Sequence, residues 1–182
     1  MAELTVVCLE AFPKWLSELA SDAVAVSRLL TTETTPTETK LYVVGAIGYI
    51  LRTAELVTDG IEDIAYMEDA FVLRVASSLA LLFPGAAAAD VHGDLARLAG
   101  DRALVEMALE SDYTRLVTRV KSIITGNNVL GTNVEAVVCD RCLLERLVFE
   151  LHKWAQAFRV PGFLREEHTL IKLKSFMCAR LP

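Results

Sequence analysis

Between residues 55 and 69 the chain carries six carboxylates, Glu55, Asp59, Glu62, Asp63, Glu68 and Asp69, with no Lys or Arg among them. Carboxylates this dense repel one another unless something offsets their charge. What offsets it decides the chemistry. A divalent cation such as Mg²⁺ or Ca²⁺ takes oxygen ligands, and Asp59, Glu62, Asp63, Glu68 and Asp69 are the candidate metal ligands. A metal-dependent enzyme or metal sensor would use this set together with Glu55. A basic partner surface is the second candidate, docking on Glu55, Asp59, Glu62 and Asp63. Asp59, Glu62 and Asp63 stand at i, i+3, i+4, so a helix would place them on one face. The third account is local. Glu68 and Asp69 in the first turn of a following helix are stabilised by free backbone N–H groups and the helix dipole, and water solvates the rest. The spacing is not that of an EF-hand, and no His stands close enough to complete a transition-metal site.

The other chemistry-bearing residues have simpler readings. Cys139-Asp140-Arg141-Cys142 is a single CxxC, expected inside a long helix with both thiols facing the core. A zinc site needs two further ligands, and Cys8, Cys178 and His152 are not at a zinc spacing. Asp90-Val91-His92-Gly93-Asp94 reads as a capping aspartate followed by exposed polar residues, and His152 and His168 read as structural. There is no nucleophile elbow, Walker loop, dinucleotide fingerprint or HExxH, so no residue is assigned a catalytic role and no cofactor beyond Mg²⁺ or Ca²⁺ is expected.

The elements that must position the acids are helices. Apolar residues recur at three- and four-residue spacing, and strand-like alternation is absent. The 182 residues, 53% hydrophobic, suit a single all-α domain: one compact helical bundle of about seven to eight helices. A short helix is expected over 2–12, and a second from Pro13 to about Leu30 with Trp15, Leu16, Leu19, Val26, Leu29 and Leu30 in the core. Thr35-Pro36-Thr37-Glu38 reads as a capping box opening a helix to Arg52. Gly45 and Gly48 suggest a flat face approached closely by another element. A turn over 55–65 leads into a helix over 66–83. Shorter helices follow over 91–99, from Asp101, and from Ser111 to Thr125. Residues 126–131 (GNNVLG) form a turn. Thr132 caps a long helix to Phe158, Val160-Pro161-Gly162 breaks the chain, and a last helix covers 164–179. Leu41, Val44, Ile47, Ile50, Leu51, Phe71, Leu79, Leu147, Leu151 and Trp154 are expected in the core.

Arg52 to Asp69 aligns without a gap on SPIDLIPDFIPxxGYLDD, the signature of the YkvA-like family of bacterial helical domains of unknown function. Glu55 stands for its first acid; Leu56, Asp59, Ile61, Tyr66 and Asp69 match; Val57, Ile64, Met67 and Glu68 are conservative. With the preceding linker and apolar helix, the stretch from about residue 35 to 79 resembles that family. The resemblance implies a helical hairpin over 35–83 built around buried or half-buried acids. Separately, the long helix from Thr132 and the last helix, residues 132–182, are expected to pack on it. It implies no reaction, and a membrane association for some members. The family's prolines are replaced by Thr53, Thr58 and Glu62 and its glycine by Ala65, so the turn is expected to be reshaped or even absorbed into helix.

Net charge is −6, unevenly spread: residues 150–182 carry +3 and the remainder −9. No basic patch dominates, so nucleic acid is not an expected partner. The sequence leads to a non-enzymatic helical adaptor or regulator, cytoplasmic, whose partner is a protein or a second copy of the chain. The last helix alternates Leu170, Leu173, Phe176 and Met177 with Lys172, Lys174 and Arg180. That pattern also suits peripheral membrane contact.

Overall fold

The computed structural model describes residues 2–56, 61–126 and 129–182, with the side chains of 2, 54–56 and 62 left aside. Among these residues it is an all-α bundle whose one strand-like feature is an isolated bridge between Val129 and Thr132. The helices are α1 (Ala2–Thr31), α2 (Thr37–Leu56), α3 (Glu62–Ala80), α4 (Ala86–Ala89), α5 (Asp94–Gly100), α6 (Arg102–Leu109), α7 (Asp112–Thr125), α8 (Val134–Cys139), α9 (Arg141–Ala157) and α10 (Glu167–Arg180). None is long and apolar enough to cross a membrane.

The bundle is organised around α3, which packs on α1, α2, α5, α6, α7 and α10. From Ile64 to Ser78 all its residues but Tyr66 are buried. A helix surrounded on every side must satisfy each polar group it carries from within. Ser77 and Ser78 do so by donating to the carbonyls of Leu73 and Val75, both at 2.8 Å. Thr39 of α2 donates to the carbonyl of Ala80 at 3.1 Å, pairing one acceptor at the end of α3. Three charged side chains remain in this buried stretch, Glu68, Asp69 and Arg74, and they define its two polar layers.

The predicted core is largely in place: Val44, Ile47, Ile50, Phe71, Leu147 and Leu151 are fully buried, and Leu41, Leu51, Leu79 and Trp154 pack against the core while partly exposed. Four local expectations are corrected. First, α1 does not break before Pro13 but runs through it. A mid-helix proline removes a hydrogen bond and costs about 3 kcal/mol. Burial of Cys8, Phe12, Trp15, Leu16 and Leu19 on both sides of it holds the two halves in line. Second, the long helix after Thr132 is two helices. Asp140 is extended (φ −110°, ψ 111°) and its carboxylate accepts from the N–H groups of Cys142 and Leu143 at 2.8 and 3.2 Å, so it starts α9. Cys139 and Cys142 are consequently exposed, not core-facing. Asn133, rather than Thr132, caps α8 by accepting from Ala136 N–H at 2.7 Å. Third, Thr35 forms no capping box: its hydroxyl is buried without a hydrogen-bond partner, and α2 starts on the Pro36 carbonyl, which accepts from Lys40 N–H at 3.0 Å. Fourth, α3 starts at Glu62, not Tyr66, as loss of the turn's prolines favours.

The two glycines of α2 meet neighbours as their spacing suggests. A Cβ on Gly45 would lie 3.2 Å from the methyls of Ile123 and Ile124, and one on Gly48 only 2.3 Å from Val129 Cγ2. Val129 has little room to retreat, because its backbone exchanges hydrogen bonds with Thr132 at 3.1 and 2.9 Å around a turn with Leu130 and Gly131 both at positive φ. Gly48→Ala should therefore destabilise the protein by about 1–3 kcal/mol in urea unfolding, against a gain of up to about 1 kcal/mol from helix propensity alone.

Candidate functional site

The α2–α3 hairpin brings two of the predicted acids inside the molecule. Glu68 and Asp69 lie in the second turn of α3, past the free N–H groups of its first turn, so they are not capping residues. They face Tyr49 and Thr53, one turn apart on α2. The Tyr49 hydroxyl donates to Glu68 Oε1 at 2.6 Å, and the Thr53 hydroxyl donates to Asp69 Oδ1 at 2.8 Å. Arg180, near the end of α10, brings Nε to 3.5 Å from Glu68 Oε2. The Tyr49 ring is flanked by the guanidinium groups of Arg52 and Arg119, 5.4 and 5.7 Å from its centroid.

The charge balance of this layer is incomplete. Asp69 is fully buried, and its Oδ2 has no hydrogen-bond partner. Burial pushes its carboxyl well above the ordinary carboxylate range; the Thr53 hydrogen bond pulls the other way, neighbouring Glu68 adds to the rise, and Arg180 and Arg52 oppose it. Burial and the adjacent acids likewise push the Tyr49 phenol up, so it stays a donor. The layer thus buries a carboxyl whose charge is disfavoured beside an ion-paired Glu68, and it presents neither carboxylate to solvent.

Of the remaining acids only Asp63 has a described side chain, and it belongs to a different feature. Asp63 is half-buried and lines a cleft on the other side of the start of α3. Asp59 lies outside the described residues, as do the side chains of Glu55 and Glu62. Among the described residues no three His, Cys, Asp or Glu side chains converge as a metal would need. Asp90, read as a cap, does cap: its Oδ2 accepts from Ala96 N–H at 2.8 Å, at the start of α5.

The cleft at Asp63 is the more accessible feature. It encloses about 750 Å³ between the start of α3, the end of α9 and the segment joining α9 to α10. Its floor is aromatic: Tyr66 packs edge-on against Phe158 at 5.1 Å, and Phe158 lies tilted against Trp154 at 5.0 Å. Val160 and Leu164 stand at its edge, 52% and 65% exposed. Comparison of the chain with protein-family models, curated proteins and solved structures returns no match. Asp63 supplies a negative charge to the cleft, and Arg159 and Lys172 supply positive ones. Arg159 also reaches the carbonyls of Gln156, Ala157 and Phe158 at 3.2–3.4 Å, holding the last turn of α9 from which Phe158 projects.

Sequence reasoning missed a second polar layer, one and a half turns further along α3. Arg74 is fully buried, with Nε 2.9 Å from Asp101 Oδ2, Nη2 3.5 Å from Asp22 Oδ2 and the guanidinium 4.1 Å above the Trp15 ring. Arg97 completes it at 2.6 Å from Asp22 Oδ1. The available signal was a lone arginine inside the apolar run from Ala70 to Phe83, which a buried helix tolerates only if the charge is paired.

Proposed function

We propose that this protein is a non-enzymatic helical interaction module, and that a second copy of the chain docks on the aromatic cleft beside the acidic segment. The observation that carries the reading is the half-exposed floor of Tyr66, Trp154 and Phe158 edged by exposed Val160 and Leu164. Aromatic anchors in a concave site with exposed aliphatic neighbours are the usual energetic centre of a protein interface. The charges favour self-pairing. The cleft lies where the −9 portion of the chain meets the +3 portion, with Asp63 from one and Arg159 and Lys172 from the other. A two-fold axis through it sets each basic tail on the other copy's acidic segment. Glu68 and Asp69, being buried, serve the fold and not the docking surface.

Sedimentation velocity over a concentration series tests this. The wild type should self-associate, more weakly as salt screens the charges. Leu164→Asp, at an exposed position outside the core, should weaken association at least about tenfold, or about 1.4 kcal/mol, without changing the unfolding midpoint at dilutions where both proteins are monomeric. A strictly monomeric wild type at the highest concentrations would remove the reading.

A further inference from the structure

A second cavity, of about 500 Å³, opens between the first turns of α1, the end of α6 and the first half of α10. Leu4, Cys8 and Phe12 form one stripe of α1 along its wall, Leu170 faces them from α10, and Phe71 of the central helix closes the floor. Burial pushes the Cys8 thiol up, so it stays neutral and part of an apolar lining. The size and apolar walls suit a small molecule, with a few polar groups at the opening to set its orientation.

Those polar groups are Glu110, Glu167 and Lys174. Lys174 Nζ and Glu110 Oε1 are paired at 2.7 Å, so Lys174 is already neutralised and the Glu167 carboxylate leaves the rim negative. Glu110 is held there at a cost, since its backbone has φ 53° and ψ −120°, a conformation rare for a side-chain-bearing residue. Strain of this kind persists where the surroundings over-determine it and often marks a ligand clamp. With Glu110 and Lys174 cancelling, an anionic head group would meet the net negative charge of Glu167. A cationic one would be attracted to Glu167 and could share the carboxylate of Glu110 with Lys174.

We propose that this cavity binds a small amphipathic cation of the alkylammonium type, its apolar tail along the accessible wall of Leu4, Leu170 and Ile171 and its head at the rim beside Glu167 and Glu110. The site is separate from the aromatic cleft and does not depend on self-association.

The test uses the full chain with octylamine, octanoate and 1-octanol, each below micelle formation, read by titration calorimetry and by the unfolding midpoint, which a ligand of the native state raises. Octylamine should bind saturably at one site and at least tenfold more tightly than octanoate. Glu167→Lys should abolish or reverse that preference. Ile171→Trp, at an exposed position lining the cavity, should block binding while leaving circular dichroism and the midpoint of the free protein unchanged. No saturable binding by any of the probes overturns the proposal. So does octanoate binding as tightly as octylamine, or octylamine binding to Ile171→Trp as to the wild type. Ile171→Trp that alters only the oligomeric state would show the groove to be covered by protein, and overturns it as well.

Discussion

Arg74→Ala should destabilise the protein by about 3–5 kcal/mol and lower the unfolding midpoint by roughly 10 °C or more. The side chain is fully buried, and each of its three guanidinium nitrogens has a receiver: Asp101 at 2.9 Å, the Ala70 carbonyl at 3.2 Å and Asp22 at 3.5 Å, with the Trp15 ring beneath the guanidinium. Burial pushes the guanidinium below its usual range, while Asp22 and Asp101 push it back; arginine stays charged through such shifts. Removing it leaves Asp22, itself buried, to Arg97 alone and opens a void beside Trp15. Unpairing a buried charge is far costlier than the pair is stabilising, because the remaining charge keeps its desolvation penalty. The double variant with Asp22→Ala should for that reason lose less than the sum of the single losses, with a coupling of about 0.5–3 kcal/mol in urea unfolding. Arg74→Lys should recover only part of the loss, since one ammonium cannot span Asp101, Asp22 and Ala70 at once. If Arg74→Ala unfolds within about 1 kcal/mol of the wild type, the layer is not a buried ion network.

What the sequence made legible follows from what is local. Trp15, Leu16, Leu19, Val26, Leu29 and Leu30 recur at helical spacing and are all buried; Val44, Ile47 and Ile50 behave alike. The last helix turns Leu170, Leu173 and Met177 inward on the body, and its alternation with Lys172 and Lys174 alone gives no means of telling that from an interfacial helix. Pairings across the chain were not legible. Arg74 finds its carboxylates 52 and 27 residues away, Asp69 its hydroxyl 16 residues back, and Glu68 its cation on the last helix. The break at Asp140 depended on a competition that propensity does not resolve, in which a carboxylate capping two N–H groups outweighs continuing the helix. The two cavities arise where helices from distant parts of the chain leave space between them, and no periodicity encodes such a gap.

Asp69→Asn should stabilise the protein at alkaline pH, by about 1–3 kcal/mol, the usual cost of a buried polar group left unpaired, and should change little near pH 4 and below. In the unfolded chain this carboxyl titrates near 3.9; in the folded protein it titrates well above the ordinary range, chiefly because burial disfavours its charge. Between those two values the folded state binds more protons than the unfolded one, so the wild type loses stability as pH rises, and above the folded value the loss is complete. Below the unfolded value both states are protonated and the group contributes nothing. Asparagine keeps the acceptor for Thr53 and has no charge to desolvate, so the variant should gain on the wild type across this window and then run parallel to it. Urea unfolding from pH 4 to 9 in EDTA measures the difference, the chelator ensuring that no divalent cation contributes. A variant less stable than the wild type at pH 9 would mean that the Asp69 charge is compensated inside the folded protein. Repeating the series with Mg²⁺ or Ca²⁺ in place of EDTA would then identify whether a cation supplies that compensation.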